Sequence, residues 1–159
     1  LDKIIDKHKN HKGIIHTGSY MFSDYIKRNS KHIFRLIDYE TSKEKGQMLE
    51  LFKKRDDSIL MGPSILEGLD LKDDMCRFQV FFKVPYPNLS DPLTKAKINN
   101  INGWYDWKTG VKIMQGVGRS VRNENDWAVT YIIDACFSSL MNKPGLFNDS
   151  FKNRISIIT

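Results

Sequence analysis

The feature that most narrows the possible folds is an alternation of two periods along the chain. Short apolar runs at Gly13–His16, Ile33–Leu36, Ser58–Met61, Phe78–Val84 and Ala128–Ile133 have the length and bounding turns of strands. Between them lie stretches with helical spacing. Leu1, Ile4, Ile5 and His8 share one helical face. Tyr20, Phe22, Tyr25 and Ile26 follow Ser19, a residue suited to capping a helix. Ser42 is a second candidate cap, for a helix to about Lys54 with Met48, Leu49 and Phe52 inward, and a further helix spans about Trp107–Val121. Such alternation predicts an α/β fold, a mostly parallel sheet covered on both faces. Crossovers in such sheets are right-handed, and ligands gather at the carboxyl ends of strands. The loops after Ile15, Met61 and Val84, the last rich in proline at Pro85, Pro87 and Pro92, are where chemistry is expected.

No repeat, low-complexity tract or flexible linker interrupts the sequence, so residues 1–159 read as one domain, long enough to bury a sizeable core. Its charge is uneven. Residues 1–55 hold 13 Lys+Arg against 7 Asp+Glu, and this first third accounts for the whole net charge of +6. That surplus favours a polyanionic partner, although a solvated lysine-rich helical face is the plainer reading. Apolar runs fall far short of the roughly 20 residues that cross a bilayer, so no membrane partner is expected. No signal-peptide pattern opens the chain, and two cysteines, Cys76 and Cys136, make no disulfide framework, so the cytoplasm is the expected compartment. The start on leucine rather than methionine reads as a piece of something longer.

The densest chemistry lies in Gln115-Gly116-Val117-Gly118-Arg119-Ser120-Val121-Arg122. On a helix, Gln115, Arg119 and Arg122 project the same way, and Gly118 keeps the surface between them low. Two guanidiniums with an amide form a donor array suited to polyphosphate oxygens. An exposed basic helix end is the alternative. His8, His11, His16 and His32 invite a metal reading, but no Cys or carboxylate joins them at ligand spacing. Trp104, Tyr105 and Trp107 suit packing better than base stacking.

The Gln115–Arg122 segment resembles motif VI (Q-x-x-G-R-x-x-R) of superfamily 2 helicases, and three other segments agree in order. Ser64-Ile65-Leu66-Glu67-Gly68-Leu69-Asp70 is similar to motif V of the XPD/DinG-like branch (S-x-x-E-G-[IV]-D). Val84-Pro85-Tyr86-Pro87 with Asp91-Pro92 resembles that branch's L-P-[FY]-P-x-x-x-D-P loop, and His16-Thr17-Gly18-Ser19-Tyr20 sits where its motif IV (F-x-[ST]-Y) follows the first strand. Asp126 and Asp134 match the closing pair of aspartates, although Ala128 and Ala135-Cys136 replace the glycine and arginine common there.

The resemblance implies a RecA-like three-layer domain, the C-terminal motor half of a DNA helicase. ATP would lie between two such domains, with the phosphate loop and Mg²⁺ site on the missing N-terminal RecA-like domain. Arg122 would be the finger nearest the γ-phosphate, with Arg119 assisting and Gln115 positioning water or phosphate. Gly68, Asp70 and Gly118 would lie on the nucleotide side. Thr17, Ser19 and Tyr20, with Ser64 and Glu67, would face single-stranded DNA, RNA being left open, and translocation would run 5′ to 3′. No phosphate loop and no iron–sulfur cysteine set are present, so the chain by itself should not turn over ATP. A stand-alone nucleic-acid-binding or regulatory module is the alternative class. An upstream phosphate loop and acidic box in the reading frame would separate the two.

In the parent helicase, Arg122→Ala is expected to cut ATP turnover by roughly 10³-fold or more while ATP and DNA binding persist. Near-normal turnover in a coupled ATPase assay sinks the finger assignment.

Overall fold

In the computed structural model of the chain, helix α1 (Asp2–Lys7) leads to strand β1 (Gly13–His16), helix α2 (Tyr20–Asn29), strand β2 (Leu36–Asp38) and helix α3 (Ser42–Lys54). Strands β3 (Ile59–Gly62) and β4 (Phe78–Phe81) follow, then helices α4 (Pro92–Asn100) and α5 (Trp104–Arg119). Strand β5 (Val129–Ile132) and helices α6 (Cys136–Met141) and α7 (Asp149–Lys152) come last. The structure describes residues 1–39, 42–63, 65, 71, 73–121 and 126–156. They fall into two compact units, Leu1–Lys83 with Gly116–Ile133, and Val84–Gln115 with Asp134–Thr159.

The first unit is built on a sheet in the order β2-β3-β1-β4-β5, with every pairing parallel. Its register sets Ile14 between Leu60 and Gln79, with Ile37 beyond Leu60 and Thr130 beyond Gln79. Neighbouring side chains on a strand point to opposite faces. Ile14, Ile37 and Leu60 therefore join Phe52 of α3 in one apolar cluster. Ile15, Ile59, Met61, Phe78, Val80 and Tyr131 turn the other way, against Ile5 of α1 and Ile26 of α2. Handedness explains which helix covers which face. The step from β1 to β2 crosses the sheet in one direction and the step from β2 to β3 reverses it, so right-handed crossovers put α2 and α3 on opposite faces.

The sequence pattern predicts a strand over Ile33–Leu36, but Ile33–Arg35 forms a 3₁₀ turn and β2 begins at Leu36. Arg35 supplies the reason. Its buried guanidinium donates to the carbonyls of Ile5, His8 and His11, and its Nε donates to that of Asp57. These bonds satisfy carbonyls at and just past the end of α1, where intrahelical partners run out. Phe34, apolar and read as a strand residue, is 86% exposed. Strand β4 also stops sooner than its apolar run, at Phe81.

The second unit is helical. Helix α4 begins in the stretch that reads as a proline-rich loop. The Asp91 carboxylate accepts from the Leu93 and Thr94 N–H groups, and Pro92 occupies the first turn, where a missing N–H costs nothing. Helix α7 starts behind Asn148, which accepts from the Phe151 N–H at 2.8 Å. Phe147 packs against Phe137 and Phe151. Tyr105 stacks on Tyr86 and donates its hydroxyl to the Pro87 carbonyl. Trp107 is 55% exposed, whereas Trp104 lies under the Lys97 ammonium. Among the described residues no helix is long and apolar enough to cross a membrane.

Gly13 marks how closely the centre of the sheet is filled, because a Cβ there would stand 2.3 Å from the Phe78 ring. Gly13→Ala is expected to destabilise the chain by about 1–3 kcal/mol, seen as a lower urea midpoint, with Phe78→Leu in the same chain recovering part of the loss. An unchanged midpoint for Gly13→Ala would refute this account of the packing.

Candidate functional site

Strand order locates the site. The chain leaves β1 toward β2 and leaves β4 toward β5, so two neighbouring strands send their connections in opposite directions. Their carboxyl ends frame the kind of crevice in which α/β sheets bind ligands. His16 ends β1 and is followed by Thr17-Gly18-Ser19, while Phe81 ends β4 and is followed by Phe82-Lys83. The Phe82 N–H donates to the His16 carbonyl at 3.0 Å, carrying the ladder to its last rung.

Gly18 makes the turn after β1. Its φ of 77° lies in the left-handed region, and a Cβ there would sit 3.3 Å from the Lys83 Cβ. Ser19 caps α2, its hydroxyl accepting from the Phe22 N–H at 3.3 Å. The first turn of that helix leaves backbone N–H groups without intrahelical partners, a setting that favours anions. Tyr20 is half exposed at the same end. Thr17 departs from its expected role as a phosphate contact. The Gly62 carbonyl still holds its N–H, and its fully buried hydroxyl bonds to Ser23 Oγ at 2.9 Å and to the Ser19 carbonyl at 3.1 Å. Thr17 therefore braces the turn from within. Lys83, which the sequence reading passed over, packs its stem against Gly18 and holds its ammonium 5.7 Å from the Phe22 ring centroid. Its signal was positional, one residue past the ladder of a strand flanking the crevice.

The basic first third does not form one phosphate-facing surface. Lys12 and Arg35 are buried and spend their donors on backbone carbonyls, while Lys27 and Lys53 pair with Asp38 and Glu50.

A chain of buried polar groups runs back from the crevice. His16 stacks on Phe81 and lies 3.1 Å, Nε2 to Oε1, from Gln79, which is 1% exposed. The Gln79 amide donates to the Gly116 carbonyl at 3.2 Å and to Thr130 Oγ1 at 2.9 Å. With both amide protons committed, Gln79 Oε1 must accept from His16 Nε2–H, which fixes the tautomer and leaves Nδ1 a buried acceptor with no partner. Burial pushes the His16 imidazole down to about 4; the Gln79 hydrogen bond opposes this and the Arg119 cation adds to it. His16 is therefore neutral at physiological pH.

Helix α5 stops at Arg119 rather than reaching Val121. Just past its end, the buried Ser120 hydroxyl lies 3.4 Å from Cys76 Sγ. Gln115 and Gly118 are exposed, and a Cβ at Gly118 would meet nothing within 4 Å among the described residues. Arg119 is half-buried and makes no hydrogen bond or ion pair among the described residues. Arg122, Ser64, Glu67, Gly68 and Asp70 lie outside the described residues. The two closing aspartates hold local structure. Asp126 accepts from Arg77 and from the Trp127 N–H, and Asp134 accepts from the Val84 and Cys136 N–H groups. His8 bonds to the Tyr131 hydroxyl at 3.0 Å, and among the described residues no three His, Cys, Asp or Glu converge as a metal site.

Comparison with known proteins bears on the family and the fold. A family profile described as helicase C-terminal domain matches residues 2–150. The chain is 32% identical over 116 residues to the ATP-dependent DNA helicase YoaA of Haemophilus influenzae, covering 67% of this chain and 18% of that protein. It is 28% identical over 120 residues to the ATP-dependent DNA helicase CHL1 of Candida albicans, covering 63% and 14%. The chain thus spans less than a fifth of either relative. A solved XPD helicase structure superposes on 87% of this chain and 27% of its own, with a TM-score of 0.61 at 19% identity. At that identity the likeness is one of fold, and together with the parallel sheet it makes this fold RecA-like.

The buried His16 generates a pH prediction. Its pKa is lower folded than unfolded, so the unfolded chain binds the extra proton first and stability falls as pH falls below about 6.5. Between pH 7 and 5 its contribution is about 2 kcal/mol, and burial with neighbouring cations lowers His8 in the same sense. Thermal melts should drop over that range, and the drop should shrink in His16→Gln. An equal drop in both proteins would remove His16 as its source.

Proposed function

Because the chain belongs to the helicase C-terminal domain family, we propose that it works as the second RecA-like motor domain of an ATP-dependent DNA helicase. In this reading it grips the backbone of single-stranded DNA and presents arginine to ATP held by an N-terminal RecA-like domain. The observation that carries the reading is the crevice at the carboxyl ends of β1 and β4, where the Ser19 cap of α2 and the Lys83 stem meet around Gly18.

The Ser19 hydroxyl, the first N–H groups of α2 and the Lys83 ammonium are donors suited to phosphate oxygens. Contacts of that kind hold a strand without reading its sequence, as a translocating motor requires. Tyr20, half exposed beside them, offers a ring to the strand. Thr17 serves by keeping the turn in shape.

On the nucleotide side, the half-buried Arg119 guanidinium has donors to give an oxyanion, which fits a polyphosphate. ATP when bound supplies phosphoryl transfer to water as the driving reaction. Arg119 and Arg122 would stabilise charge on the transferring group, Gln115 would orient water or phosphate, and Gly118 would let the nucleotide or its domain approach without obstruction. Gly68 and Asp70 would complete the nucleotide side, with Ser64 and Glu67 toward the strand. Mg²⁺ belongs to the partner domain in this scheme. The chain alone is then inactive toward ATP, and a 5′-to-3′ direction goes with the XPD-like resemblance.

A fluorescent oligo(dT) titration tests the strand-binding half. The chain should bind weakly at low ionic strength, with log affinity falling linearly against log salt, and Lys83→Ala should lower that slope by about 0.7, the value of one phosphate contact on a single strand. Binding that is undetectable at low salt, or indifferent to salt, overturns the reading.

A further inference from the structure

Gln79 belongs to none of the helicase-like motifs, yet its side chain touches two of them. It sits in β4 on the sheet face that also bears Ile14 and Thr130, 1% exposed, a carboxamide where a core strand ordinarily carries an apolar residue. Burying such a group is costly unless every polar atom finds a partner, and here every one does. Its Oε1 holds His16, the last residue of β1 and the one before the Thr17–Ser19 turn. Its Nε2 holds the Gly116 carbonyl at 3.2 Å. That carbonyl lies in the last turn of α5, so Gln79 donates into the final turn of the helix whose last residue is Arg119.

We propose that Gln79 is a positioning residue that couples strand binding at the Thr17–Ser19 turn to the placement of Arg119, through His16 on one side of its carboxamide and the Gly116 carbonyl on the other. The proposal rests on the motor-domain reading, since it needs the turn to bind a strand. A planar amide bonded on both sides transmits displacement. When a phosphate draws on the turn, the β1 end moves, His16 carries Oε1 with it, and the Gly116 carbonyl must follow or lose its donor. His16 suits the part because it is neutral, held in one tautomer and stacked on Phe81, so it acts as a rigid spacer. Thr130, bonded to the second amide proton, keeps the carboxamide from flipping.

The test is an NMR titration of the full chain with oligo(dT) at low salt, following the turn amides, the Gln79 side-chain amide and the Arg119 Nε–H. In the wild type all three should shift with one midpoint. Gln79→Met keeps the volume but removes both bonds; its turn amides should still shift, with affinity within about threefold of wild type, while the Arg119 response falls to less than half. Gln79→Glu keeps the acceptor for His16 and loses the donor to Gly116, so it should behave like Gln79→Met at Arg119. An Arg119 response of wild-type size in either folded variant overturns the proposal. Should neither variant fold, the wild type decides: a turn that saturates while Gln79 and Arg119 stay still overturns the coupling and leaves the strand-binding reading intact. A turn that does not shift at all removes both.

Discussion

The central position of β1 is the constraint on which the rest depends. That strand, Gly13 to His16, is hydrogen-bonded along both edges and covered on both faces. Its first residue has to be glycine for the Phe78 ring to lie over it. Its last residue opens onto the crevice, because the chain departs in one direction after β1 and in the other after β4. The position of the candidate site is thus a consequence of strand order.

The two ends of the sheet do different work. At the amino end, polar groups are turned to holding the fold together. Arg35 collects carbonyls from α1 and its following loop, Lys12 donates to the Lys53 carbonyl, and Arg77 ties Asp74 to Asp126. At the carboxyl end, Ser19 and Lys83 border an open turn, and the buried His16–Gln79 pair lies behind them. Cations that look equivalent in a charge count differ by where their donors go. A buried arginine bonded to four carbonyls contributes to stability and offers nothing to a polyanion.

Family membership and site geometry bear on different parts of the function. The match to the helicase C-terminal domain profile covers nearly the whole chain, whereas the chain covers less than a fifth of the relatives named above. The proposed role opposite an ATP-holding domain rests on that family membership. A Cβ at the exposed Gly118 would meet nothing within 4 Å among the described residues, which fits a surface meant to be approached from outside.

The α/β class, the parallel sheet, the α2 cap at Ser19 and the order of the helicase-like segments were legible in the sequence, because strand and helix periods and cap chemistry are local properties of neighbouring residues. Helix α4 was missed although its Asp91-Pro92 start is a local signal, since the helix carries no apolar stripe to draw attention to it. The hydrogen-bond partners of Arg35, Thr17 and Gln79 could not be read from sequence. An arginine beside apolar residues reads as an exposed cation, and only the folded chain brings the carbonyls of Ile5, His8 and His11 around it. A threonine in a motif reads as a ligand contact until Ser23, six residues later in α2, claims its hydroxyl. Local pattern determined which elements form and roughly where. Which donors remain available to a ligand was decided by long-range hydrogen bonding, because the partners of His16, Gln79 and Arg35 lie tens of residues away and meet them only when the sheet is assembled.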